Sequence, residues 1–114
     1  AIADFCRAHG ITEKVIVEMC KLDGDDAAKH RVCEIALEAK PGFLKTSTGR
    51  SFGGAKLEDV RLMHEVLGDS VAIKAAGGIH NYEEACAFIE AGASALGASA
   101  GIAIVEGAPT EERR

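Results

Sequence analysis

Polar and apolar positions along the chain follow two alternating periods. Four times a short apolar run leads through a loop of small residues into a stretch whose apolar positions recur at helical spacing. The runs are Lys14–Met19, Phe43–Thr46, Val71–Ala75 and Ala95–Ala98, and the helical stretches are Asp25–Ala39, Leu57–Leu67, Tyr82–Ala91 and Ala100–Val105. The runs open at residues 14, 43, 71 and 95, which leaves room for a crossover helix between each pair, so the pattern predicts consecutive parallel strands in an α/β fold. Residues 1–10 read as the end of a preceding helix. Residues 14–40, 43–68, 71–92 and 95–106 read as four βα units of one domain spanning 1–114, and 107–114 as a solvated tail.

Punctuation in the sequence agrees with these boundaries. Pro41-Gly42 stops a helix, Gly68 follows Leu67 as a C-terminal cap, and Asn81 precedes the third helical stretch with Glu84 three residues on. Asp25 and Asp26 fall in the first turn after Gly24, where the helix dipole favours them. Parallel sheets are normally covered on both faces, and a closed barrel of this type needs eight strands. Four strands alone leave two bare edges. The pattern therefore predicts half of a (β/α)8 barrel closed by a missing N-terminal half, two copies that close one barrel as a homodimer, or an open doubly wound sheet. The chain opens without Met inside a helical pattern, which suggests a piece of a longer protein.

Composition removes several classes of function. A formal charge of −5 with no Lys/Arg block argues against nucleic acid as a partner, and the longest apolar stretch, Ser94 to Val105, is too short and too rich in Gly and Ala for a membrane span. No secretory leader pattern is present at residues 1–10, and a cytoplasmic setting is expected. Cys6, Cys20, Cys33 and Cys86 form no CxxC pair and sit in apolar patterns, as small buried thiols do. His9, His30, His64 and His80 lack ligand spacing and read as solvated, so no metal site is expected.

The chemistry resides in two lysines. Side chains alternate along a strand, so Lys45 opposes Leu44 and Lys74 opposes Ile73. If Leu44 and Ile73 pack against helices, both amines face one cavity near the carboxyl ends of neighbouring strands, where barrel enzymes build their sites. An amine among apolar neighbours and beside a second ammonium loses basicity and becomes a nucleophile suited to imine formation. The competing reading is that each lysine merely ends a strand and snorkels to solvent. The loops that follow, Thr46-Ser47-Thr48-Gly49, Ala75-Ala76-Gly77-Gly78 and Gly97-Ala98-Ser99-Ala100-Gly101, are built to let backbone N–H groups approach an anion, although short βα loops also need glycine for geometry. Arg50 adds a charge beside Gly49.

These segments carry a family resemblance. Phe43-Leu44-Lys45-Thr46-Ser47-Thr48-Gly49, with Gly53-Gly54-Ala55 and Glu58-Asp59-Val60-Arg61-Leu62-Met63 behind it, resembles the deoxyribose-phosphate aldolase signature around its Schiff-base lysine. Ala72-Ile73-Lys74-Ala75-Ala76-Gly77-Gly78-Ile79 is similar to the segment with the family's second lysine. Leu96-Gly97-Ala98-Ser99-Ala100-Gly101 is similar to its eighth strand and phosphate loop, and Lys14 to Cys20 to its fifth strand. The likeness runs from about residue 11 to 105 and implies strands five to eight of a (β/α)8 barrel.

What the resemblance implies is reversible cleavage of 2-deoxy-D-ribose 5-phosphate to acetaldehyde and glyceraldehyde 3-phosphate. Lys45 would be the nucleophile and Lys74 would lower its basicity. Thr48, Gly49, Arg50, Gly77, Gly78, Gly97 and Ser99 would surround the substrate and its phosphate, with no metal or organic cofactor. Lys40-Pro41 and His80 depart from the family pattern outside the expected chemistry. The larger departure is that strands one to four, with the family's proton-shuttling aspartates, have no counterpart here. General acid–base help is worth about 10²- to 10⁴-fold, so the chain alone is expected to be impaired. Glu18, at the end of the first strand, is the nearest local candidate for a proton carrier in a half-barrel assembly, against the favoured reading of a surface carboxylate or one that supports the site from behind. A phosphate-binding module without turnover and a pure assembly unit are the readings from other classes.

Overall fold

The computed structural model describes residues 2–48 and 53–109. Helix α1 (Ile2–Ala8) precedes strand β1 (Lys14–Ile16), a 3-10 turn (Met19–Leu22) and helix α2 (Asp26–Ala39). Strand β2 (Phe43–Lys45), helix α3 (Leu57–Leu67), strand β3 (Ala72–Ala76), helix α4 (Tyr82–Ala91), strand β4 (Ala95–Gly97) and helix α5 (Gly101–Gly107) follow. The strands pair in parallel in the order β1-β2-β3-β4, which is the order of the sequence. This is the half-barrel arrangement, with helices on one face and the opposite face open.

Alternation along the strands builds the core. Leu44 on β2 and Ile73 and Ala75 on β3 are buried, and they join Val60, Met63 and Leu67 of α3 and Phe88 of α4 in one apolar cluster. Lys45 and Lys74, of opposite parity, lie on the other face and are half-buried. A methyl-sized error under this layer would be felt, since core residues of this kind stabilise by about 1.5–3 kcal/mol each when fully buried.

Helix ends use the residues expected of them, with two refinements. Asp25 caps α2 by accepting the Ala28 N–H at 3.0 Å, and Asn81 caps α4 by accepting the Glu84 N–H at 2.9 Å. Glu84 turns back to accept the N–H of His80, one residue before the cap. At the end of α2 the left-handed residue is Lys40 rather than a glycine (φ 53°), and its N–H bonds the Ala36 carbonyl before Pro41 stops the helix.

Two element boundaries differ from expectation. The first strand ends at Ile16 instead of reaching Met19, because Glu18 is left-handed (φ 49°). The pairing resumes beyond it, with the Val17 N–H on the Lys45 carbonyl and the Met19 N–H on the Thr46 carbonyl. The kink also removes Glu18 from the face it would share with Ile16 in a regular strand. The last helix runs on to Gly107, and Ala108 behind it is buried, so the solvated tail does not begin at 107. Among the described residues no helix is long and apolar enough to cross a membrane.

Candidate functional site

Lys45 and Lys74 are cross-strand partners in the β2–β3 ladder. Because Leu44 and Ile73 are held in the core, Lys45, the last residue of β2, and Lys74, midway along β3, both lie on the open face. Lys45 lines a cavity of about 350 Å3 together with Thr48, Gly77, Gly78, Gly97 and Ser99. Lys74 lines a different hollow of about 260 Å3, where its neighbours are Thr12, Lys14, Phe43 and Ala95. The two lysines are thus neighbours in the ladder that line separate hollows rather than one.

Lys14 is the residue that sequence reasoning passed over. It opens β1, and the alternation used for the other two lysines would have put it on their face, with Val15 opposite. Its ammonium, burial and the Lys45 ammonium, in that order of size, hold the Lys74 amine below its ordinary value, and a hydrogen bond with Lys14 acts in the same direction.

The small-residue loops form a braced cradle. Ser47 donates to the Ala76 carbonyl at 2.6 Å, and the Thr46 hydroxyl accepts the Ala76 N–H at 3.2 Å; both side chains are buried. The Ala55 N–H is shared between the carbonyls of Ala76 and Gly77. Gly54 lies so near that a Cβ there would stand 2.3 Å from the Gly77 oxygen. Gly77 and Gly78 have φ of 90° and 75°, a pair of left-handed residues that L side chains disfavour. At Gly97 a Cβ would crowd the Ala76 Cβ at 3.1 Å.

Thr48 closes the near wall. Its N–H donates to Glu18 Oε1 at 2.5 Å and its hydroxyl to Glu18 Oε2 at 3.2 Å. Ser99 is exposed at the rim. Gly49 and Arg50, expected at this wall, lie outside the described residues.

The remaining expectations fall away from the cavity. Cys33 is fully buried, and burial, with a contribution from Asp59, pushes its thiol up to about 11; Cys6, Cys20 and Cys86 are only half-buried, and all four are free. His9, His64 and His80 are exposed, but His30 is half-buried on α2. Among the described residues no group of three or more His, Cys, Asp or Glu side chains is placed to hold a metal ion.

No family model matches the chain. Individual relatives do. Over 103 residues the chain is 53% identical to a deoxyribose-phosphate aldolase of Thermococcus kodakarensis, covering 90% of this chain and 45% of that protein. It is 55% identical over 98 residues to the Enterococcus faecalis deoxyribose-phosphate aldolase, covering 86% and 44%. Among solved structures, the tetrameric deoxyribose phosphate aldolase from Aeropyrum pernix superposes with a TM-score of 0.78 at 27% identity, over 92% of this chain and 44% of that one. An aldolase described as QR15 matches with the same TM-score at 39% identity. The chain has the sequence and fold of the C-terminal half of deoxyribose-phosphate aldolases. It spans a little under half the length of these relatives, and its four parallel strands match half of their barrel.

Proposed function

We propose that this chain is the Schiff-base half of a class I deoxyribose-phosphate aldolase, which cleaves 2-deoxy-D-ribose 5-phosphate reversibly to acetaldehyde and glyceraldehyde 3-phosphate. The observation that carries the reading is the cross-strand pair Lys45 and Lys74 beside a braced glycine cradle. In this scheme the Lys45 amine adds to the C1 aldehyde and loses water to form an iminium. That cation accepts the electron pair released as the C2–C3 bond breaks, which is what a metal would otherwise do. Lys74, whose amine is held below its ordinary value, serves as the neighbouring base and charge.

Thr48, Gly77, Gly78, Gly97 and Ser99 surround the substrate and its 5-phosphate. Glu18 is committed to Thr48, so the proton carrier comes from the strands that close the barrel, whether an N-terminal half or a second copy. The role that goes with this reading is cytoplasmic breakdown of deoxyribonucleotides.

Borohydride reduction of the protein with deoxyribose 5-phosphate tests the proposal. A substrate-sized adduct mapped to Lys45, and lost in Lys45→Ala, is expected. An adduct undiminished in Lys45→Ala would refute the assignment.

A further inference from the structure

Glu18 is strained without a local reason. It and Lys40 are the two non-glycine residues with positive φ among those described, and Lys40 is explained by the end of α2. Glu18 precedes the 3-10 turn but its side chain makes no capping bond to it. The carboxylate instead crosses to the next βα unit and takes both donors of Thr48, the N–H and the hydroxyl. Pairing between the two segments continues on either side, through Val17 to Lys45 and Met19 to Thr46, so the kink at Glu18 aims its side chain without breaking the sheet. Backbone conformations of this kind persist when the surroundings over-determine them, and they cluster at working sites.

Resting on the aldolase reading above, we propose that Glu18 is a positioning residue: by gripping Thr48 through both carboxylate oxygens, it fixes the loop that follows the reactive lysine strand as the wall of the anion cradle. Thr48 stands three residues beyond Lys45 in the chain and faces Gly77, Gly78 and Ser99 across the same cavity. Without the grip, two polar groups of Thr48 would be free to turn to water and the wall would lose its fixed distance from the glycines. The effect belongs to recognition of the phosphorylated end, while the amine chemistry at Lys45 itself stays intact.

Three variants separate this role from plain stability. Glu18→Gly removes the carboxylate and also relieves the strain at φ 49°, so it should fold at least as well as wild type. Glu18→Ala removes the carboxylate and keeps the strain. Glu18→Gln keeps one acceptor for the Thr48 N–H and can exchange a hydrogen bond with its hydroxyl.

In borohydride trapping on the complete protein, Glu18→Gly should need roughly tenfold more deoxyribose 5-phosphate for half-maximal adduct, a loss typical of charged hydrogen bonds. Trapping of acetaldehyde, which has no phosphate, should be unchanged, and Glu18→Gln should recover most of the loss. Equal trapping of the sugar phosphate by Glu18→Gly and wild type would overturn the proposal, as would an equal fall for both aldehydes. If wild type traps neither aldehyde, the aldolase reading fails by itself, and an inorganic phosphate titration read at the Thr48 amide decides the role of Glu18. Weaker phosphate binding in Glu18→Gly supports it; equal binding, or none in wild type, overturns it.

Discussion

Replacing Lys29 by Met should be among the most damaging single changes outside the cavity. Lys29 on α2 and Asp59 in the first turn of α3 have side chains only 4% and 3% exposed, and their contact is 2.6 Å. The Lys29 ammonium also donates to Asp23 at 2.8 Å. Burial opposes its charge, but the hydrogen bonds it donates to Asp23 and Asp59 prevail and raise its pKa. On the alkaline side its contribution is therefore complete below the ordinary lysine value and lost as the pH climbs above it. On the acid side the bond to Asp23, whose carboxyl Lys29 and Lys56 hold below its usual value, is lost as the pH falls through that lowered value. Asp59 Oδ2 is buried with no hydrogen-bond partner. Methionine keeps most of the apolar stem and removes the ammonium, leaving the carboxylate in surroundings dry enough to push the Cys33 thiol up to about 11.

Removing one member of a buried pair costs about 3–5 kcal/mol. For a domain of this size the melting temperature should fall on the order of 15 °C. Urea unfolding followed by circular dichroism measures the loss, and the double variant Lys29→Met/Asp59→Leu should recover most of it, because an apolar pair replaces an orphaned charge. A loss below about 1 kcal/mol, the size of an exposed pair, would refute the reasoning. So would a double variant no more stable than Lys29→Met alone.

Gly54→Ala forces a Cβ to within 2.3 Å of the Gly77 oxygen and 3.0 Å of the Gly78 nitrogen, so it should cost about 1–3 kcal/mol and abolish stabilisation by phosphate in thermal melts. Wild-type melting with and without phosphate would refute the brace. For Lys74, a depressed amine means that the fold disfavours its charged form: the penalty is complete below the folded value and disappears as pH rises to the ordinary 10.5. Its contribution to stability therefore increases with pH in that alkaline window, and Lys14→Met, which removes the largest cause, should flatten the rise; parallel wild-type and variant profiles would refute it.

Much of this was legible before any coordinates. Period-two alternation around Leu44 and Ile73 placed Lys45 and Lys74 on one face, because a strand allows only two faces and the core claims one. Helix boundaries at Asp25, Asn81 and Pro41 followed from groups that the backbone must satisfy. What stayed hidden depends on contacts between units. Nothing local marks Glu18 as left-handed, and the partner of its carboxylate, Thr48, lies thirty residues on. Lys29 reads as a surface lysine of an amphipathic helix, and only the approach of Asp59 from α3 accounts for its burial. Lys14 was readable by the same alternation as its neighbours, but its hold on Lys74 spans two strands and has no trace in spacing.

Strand order that copies sequence order also governs when the site comes into being. The bonds that join successive units link residues at nearly constant separation: Glu18 to Thr48, Thr46 to Ala76 and Lys29 to Asp59 are each 30 residues apart, and Ser47 to Ala76 is 29. Each closes a loop of one βα unit, and loop entropy at that length is modest and the same at every step. During synthesis at about 5–20 residues per second, successive units emerge within a few seconds of one another. Glu18 can meet Thr48 before β4 has been made, and the wall beside Lys45 is laid down ahead of the glycine loops opposite it. The cavity is completed from its first strand to its last, in the direction of translation.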